Sequence, residues 1–90
     1  MYLARVRGTV VSTSKDQRLV GFKLLVTQRI DENGAWAALP EVTIDTVGAG
    51  VGETVIITRG SQARYAAGRT EAPIDATIVG IVDTVEIEKD

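Results

Sequence analysis

Between Asp45 and Glu53 the chain reads Asp-Thr-Val-Gly-Ala-Gly-Val-Gly-Glu, and it runs directly into Thr54-Val55-Ile56-Ile57-Thr58. Glycines at alternating positions, 48, 50 and 52, give the backbone access to positive φ and let it approach another surface closely. The β-branched run behind them suits a pleated, half-buried strand. A dinucleotide-binding loop would instead open a helix, whose N-terminal N–H groups hold phosphate. No helical pattern follows here, so the segment reads as a close-packing device and not as a phosphate cradle. Two readings stay open at this point. Several copies of the chain could converge at this loop around an axis, or the loop is a wide turn inside a single subunit.

Ninety residues make one domain. A chain of this size buries only about 60–65% of its unfolded surface, so association with other copies would add useful burial. Ten basic and twelve acidic residues give a formal charge of −2, which lacks the dense positive field of a nucleic-acid surface. Cysteine and histidine are both absent. That removes disulfides, thiolate and imidazole metal sites and the commonest general base. Met1-Tyr2-Leu3-Ala4-Arg5 has no signal-peptide pattern, and no apolar run approaches the roughly 20 residues of a membrane span. The expectation is a soluble intracellular protein.

Val, Ile and Thr dominate the pattern. Near Tyr2 to Ser14, Leu3, Arg5, Arg7 and Thr9 alternate with Ala4, Val6, Gly8 and Val10, the period of a strand with one buried face. A polar turn, Ser14 to Arg18, leads to a second strand near Gly21 to Ile30. Asp31-Glu32-Asn33-Gly34 is a hairpin signal. A short strand is expected from Ala35 to Val42, with Pro40 limiting its pairing, and Val42 to Thr46 leads into the glycine loop. Thr54 to Arg59 is a further strand, and Ala76 to Ile87 is the last, with Gly80 marking a bend or bulge. Ser61 to Ala67 is the one helix candidate, capped by Ser61 and ended by Gly68. Five or six short strands and one short helix point to an all-β, OB-like barrel, since closure removes exposed edges.

The candidate catalytic groups are Asp45, Glu53, Asp75, Asp83, Lys15, Lys23 and Ser61. Ser61 has no histidine to activate it, and no Asp-x-Asp calcium loop is present, so loop and turn roles account for these residues. No catalytic residue, cofactor or metal is expected. An OB barrel can bind single-stranded nucleic acid through aromatic stacking in a basic groove. Tyr2, Phe22, Trp36 and Tyr65 are scattered, however, and Arg5, Arg7 and Lys23 read better as a solvated barrel face or an inter-subunit salt bridge. The segment Ser12-Thr13-Ser14-Lys15 could donate to an anion, but such runs more often make local turn bonds.

Three blocks in one order carry a further resemblance. They are Ala4–Lys15 with Leu19–Leu25, then Asp45–Glu53 with Arg59–Arg64, then Pro73–Val85. Over nearly the whole chain this resembles the EutN/CcmL family, the pentameric vertex proteins of bacterial microcompartment shells. The resemblance implies a five-stranded OB-like barrel with one short helix, assembling as a cyclic homopentamer. It implies a structural role at the five-fold corners of a shell tiled by hexameric proteins, in the bacterial cytoplasm, with no enzymatic activity. The implied partners are other copies of the chain and hexameric shell proteins, with no nucleic acid and no membrane. The competing reading is an OB-fold module for single-stranded nucleic acid. Within the pentamer reading, Gly48, Ala49 and Gly50 are expected at or near the axial pore. Arg59, Ser61, Arg64 and Asp83 are expected at the subunit interface, with Asp45, Glu53, Asp75 and Asp83 as possible partners for the arginines.

Overall fold

Every β-branched run forms a strand in the computed structural model, which describes residues 1–13 and 15–88. In chain order these are β1 (Tyr2–Val10), β2 (Lys23–Arg29), β3 (Glu41–Asp45), β4 (Thr54–Arg59) and β5 (Ala76–Val82). One helix, α1 (Ser61–Ala67), lies between β4 and β5, and a single 3-10 turn covers Gln17–Leu19.

The strands close into a barrel in the order β1-β2-β3-β5-β4, with β4 pairing back onto β1. All pairs are antiparallel except β3 with β5, which share two rungs, Ile44 with Thr77 and Asp45 with Ile78. This is the OB-like barrel expected from the pattern. The short parallel seam is its weakest wall, and side chains reinforce it: the Thr46 hydroxyl donates to the Ile78 carbonyl at 2.8 Å.

Two apolar clusters follow from the strand period. Ala4, Val6, Leu25, Val55, Ile57, Ala76 and Ile78 point inward and fill the barrel. A five-stranded barrel is narrow enough for side chains to occupy its interior completely. Outside the wall, Ile44, Ala63, Ala72 and Ile74 form a second cluster with Leu19, Phe22, Leu24 and Ala67. This cluster seats α1 and the following loop, and the Thr77 hydroxyl donates to the Ala63 carbonyl beneath the helix at 2.7 Å.

Several boundaries differ from the sequence reading. The first strand ends at Val10, and a bulge between Val6 and Gly8 interrupts the alternation. Ser14, where that strand was expected to end, lies outside the described residues. The stretch from Ala35 to Pro40 is not a strand; only Trp36 bridges back to Ile30, and pairing resumes at Glu41, after the proline. The turn before it does fold as a hairpin signal should: Gly34 takes φ +85, and the Asp31 carboxylate accepts from the Asn33 and Ala35 N–H groups. The last strand stops at Val82, since β4 has no residue left to pair with. The bend expected at Gly80 is a bulge: Ile56 faces Gly80 and Ile57 faces Ile78, which leaves Val79 unpaired. Ser61 does not cap the helix. Gly60 is the N-cap, at φ 68 and ψ −146, a region open to glycine alone, and Ser61 is the first helical residue. Gly68 ends the helix in the left-handed conformation, as expected.

Candidate assembly surfaces

The glycine loop is fastened to its own barrel. The Asp45 side chain, almost fully buried, accepts from the Val47 and Ala49 N–H groups at 3.0 and 2.9 Å. The Lys23 ammonium donates to the Ala49 carbonyl at 2.8 Å and stands 3.7 Å from the Asp45 carboxylate. Glu53 accepts from the Gly50 N–H at 2.7 Å, and the Gly52 N–H donates to the Val6 carbonyl. Ala49 is fully buried and belongs to the barrel core, so the loop inserts its methyl group as a plug. Lys23 therefore serves this loop and does not join Arg5 and Arg7 on a common basic face.

The glycines flanking that plug are not crowded by their own chain. Gly48 sits at φ +81 with no atom within 4 Å of an added Cβ, and at Gly50 only the Glu53 carboxylate comes near, at 3.5 Å. Positive φ accounts for glycine at 48, but Gly50 has no such requirement and no crowding inside the subunit. Beside them Val47 and Val51 point into solvent.

The four residues expected at a subunit interface divide in two. Arg59 is engaged within the chain. Its guanidinium pairs with Glu41 at 2.5 Å and Asp75 at 3.5 Å, bridging β4 to β3 and to the residue before β5. The Tyr2 hydroxyl donates to the same Glu41 carboxylate. Burial first, and the adjoining Glu41 carboxylate second, push the Tyr2 phenol up to about 12. Ser61 is exposed at the start of α1. The Arg64 and Asp83 side chains have no hydrogen-bond or ion-pair partner among the described residues. Of the acids weighed as partners, Asp45 and Glu53 hold the glycine loop and Asp75 meets Arg59, which leaves Asp83 without a partner among the described residues.

The aromatic residues form no platform. Arg7 lies over Trp36 and Arg29 over Tyr2, each 4.8 Å from the ring centre, and Arg69 lies 5.0 Å from that of Phe22. Three of the four aromatic side chains thus already carry an arginine of the same chain on a ring face. Arg7 also donates to Gln28 at 2.6 Å, and Gln28 in turn to the Ala38 carbonyl, which braces the Asp31–Ala38 excursion against the barrel. The Lys15 ammonium donates to the Ser12 carbonyl, so that segment makes the local turn bond. Among the described residues no His, Cys, Asp or Glu cluster could hold a metal, and no helix is long and apolar enough to cross a membrane.

Large apolar side chains, by contrast, stand in solvent: Val11 is 90% exposed, Leu39 86%, Tyr65 68% and Val51 63%. A small OB-like barrel that engages most of its charged and aromatic side chains within itself, while several large apolar side chains stand in solvent, has the form of a self-associating structural subunit. Comparison with known proteins makes this specific. The chain belongs to the EutN/CcmL family, whose model, described as ethanolamine utilisation protein EutN/carboxysome, matches residues 1–83. It is 55% identical over 86 residues to the bacterial microcompartment shell vertex protein GrpN of Rhodospirillum rubrum, covering 96% of this chain and 97% of that one. It is 52% identical over 88 residues to the carboxysome shell vertex protein CcmL of Synechococcus elongatus, covering 98% and 89% of the two chains. The solved structure of the GrpN pentameric microcompartment shell protein superposes with a TM-score of 0.89 at 52% identity, covering 98% of this chain and all of that one.

Proposed function

We propose that this chain is a structural shell protein, forming a homopentamer that caps the five-fold vertices of a bacterial microcompartment in the cytoplasm. A shell tiled by hexameric proteins is flat, and five-fold units supply the curvature that closes it. The chain's partners are then other copies of itself and hexameric shell proteins along the rim of the ring. The observation that carries this reading is the near-complete match in sequence and fold to a pentameric shell protein. A single-strand binder would need open ring faces, and the arginine-covered aromatics do not supply them.

Within the pentamer, Gly48, Ala49 and Gly50 lie at or near the axis, and Arg59, Ser61, Arg64 and Asp83 at the contacts between subunits. Gly50 supports the axial placement. Its own subunit leaves room for a side chain there, so a requirement for glycine would have to come from neighbouring copies. Gly50→Val therefore separates fold from assembly. The expected outcome is a monomer with unchanged circular dichroism and a ring population at least ten-fold reduced in native mass spectrometry. An undiminished five-fold mass would remove Gly50 from the crowded axis. The vertex role itself is tested by producing hexameric shell protein with and without this chain and viewing the particles by electron microscopy. Closed polyhedra are expected only when the chain is present; closure without it would overturn the reading.

A further inference from the structure

A ring of five cannot be built from a self-complementary patch, because an isologous contact closes at two subunits. It needs two different surfaces on each protomer that fit one another. We infer that these are the outer side of α1, carrying half-buried Arg64 and exposed Tyr65, and a groove at the far end of β5 carrying Asp83, so that the helix of one copy seats in the groove of the next. This rests on the homopentamer reading and assigns its contact.

The groove has a volume of about 220 Å³ and is lined by Leu3 of β1, Thr54 of β4, Val82 of β5, Ile30 and Val85, with Asp83 at the turn out of β5. Its walls are apolar and polar in equal measure, and among the described residues they carry two carboxylates without a hydrogen-bond or ion-pair partner, Asp83 and Glu32, against one such cation, Arg5. On the convex side, Tyr65 is 68% exposed and the neighbouring Arg64 has no acidic partner among the described residues. An exposed tyrosine beside an arginine is the side-chain chemistry enriched at the energetic centres of protein interfaces. The protomer cannot satisfy itself. The helix rests on Thr77 near the start of β5, five residues before Val82, which is about 17 Å at strand rise. Other concave surfaces fit less well. The one beside β3 presents Asp75, which Arg59 already holds, and the one at the N-terminus shares Glu32 with the groove but lacks Asp83.

Charge reversal tests the pairing. Native mass spectrometry over a concentration series would compare the parent chain with Arg64→Glu, Asp83→Arg and the two together. Each single reversal should raise the concentration at which rings form by about ten-fold or more, and the double reversal should recover most of that loss. Singles that assemble like the parent, or a double no better than the worse single, overturn the inference. A groove that meets a hexameric partner instead would show as normal rings that fail to enter shells, and that also overturns it. Cross-linking gives a measurement independent of folding stability, since the chain has no cysteine. Tyr65→Cys combined with Val85→Cys should yield an oxidised ladder ending at five subunits, while either change alone should not; no ladder from the pair counts against the contact. A parent chain that is monomeric throughout would sink the pentamer reading, and this one with it.

Discussion

Tyr2 shows how one side chain ties a barrel end together. It is the first residue of β1; its hydroxyl donates to Glu41 of β3, and Arg29 of β2 lies over its ring. Arg59 of β4 completes the group by pairing with Glu41. Four strands meet in this arrangement without a buried metal or disulfide. Burial disfavours the charged phenolate, and ionising it would also place a second negative charge against Glu41, so its pKa is raised to about 12 from an ordinary 10.0. The sign of the linkage follows. Above pH 10 the unfolded chain releases this proton while the folded chain retains it, so the unfolded state binds fewer protons and stability falls as pH rises from about 10 to 12. Below pH 10 the contribution is complete. In a Tyr65→Phe background Tyr2 is the only tyrosine, and its ultraviolet titration should be centred near 12. Adding Glu41→Gln should bring the titration back toward 10. A midpoint that ignores Glu41 would mean the hydroxyl does not donate there.

The shape of the glycine loop is decided by residues outside the glycine pattern. Asp45 accepts two loop N–H groups, one of them on fully buried Ala49. Asp45→Ala leaves the Ala49 donor without a partner in the dry interior, at a cost of about 1–3 kcal/mol in unfolding free energy. Lys23→Met removes a half-exposed ammonium and should cost less than about 1 kcal/mol. Hydrogen exchange resolved to residues 47–52 should rise sharply in the first variant and little in the second; equal effects would show that the loop is held by the ion pair and not by the two N–H bonds. This ranking was not legible in the sequence. The position of the loop before Thr54–Arg59, the strand itself and the helix over Ser61–Ala67 were all readable, because β-branched runs and glycine stops act locally. What Asp45, Glu53 and Lys23 do was not. Each is a charged residue near a turn, and only the pairing of β2 with β3, which sets Lys23 opposite Asp45, brings Lys23 to the Ala49 carbonyl. Ser61 misled as a cap for a similar reason. The chain enters α1 through a backbone conformation that only Gly60 adopts comfortably, which moves the cap one residue earlier. The stretch before β3 reads as a strand by composition, yet Pro40 cannot join a ladder and pairing waits until Glu41. The free pair Arg64 and Asp83 was within reach as two candidates, but the competing acids fell away only when the fold engaged them elsewhere.

At the scale of the molecule, the balance between barrel and ring sets the stability. The inner core rests largely on small side chains, three of them alanines, because a five-stranded barrel has little room inside. Meanwhile Val11, Leu39, Val51 and Tyr65 leave most of their apolar surface in water. A domain of this size has a slender margin on its own, and covering those groups between copies adds burial that the single chain lacks. Assembly that favours the folded state over the unfolded one must then make thermal stability depend on concentration. Calorimetry of the parent chain should show a Tm that climbs steadily as protomer concentration is raised over a hundred-fold range. Arg64→Glu should unfold at a lower Tm at each concentration, with its climb displaced to about ten-fold or more higher concentration, since the barrel is intact and only the ring is weakened. At high dilution the parent and the variant should approach one common value. If the parent Tm is indifferent to concentration while native mass spectrometry shows rings, the barrel is stable without its neighbours, and the exposed apolar groups serve the contact with the shell and not the fold.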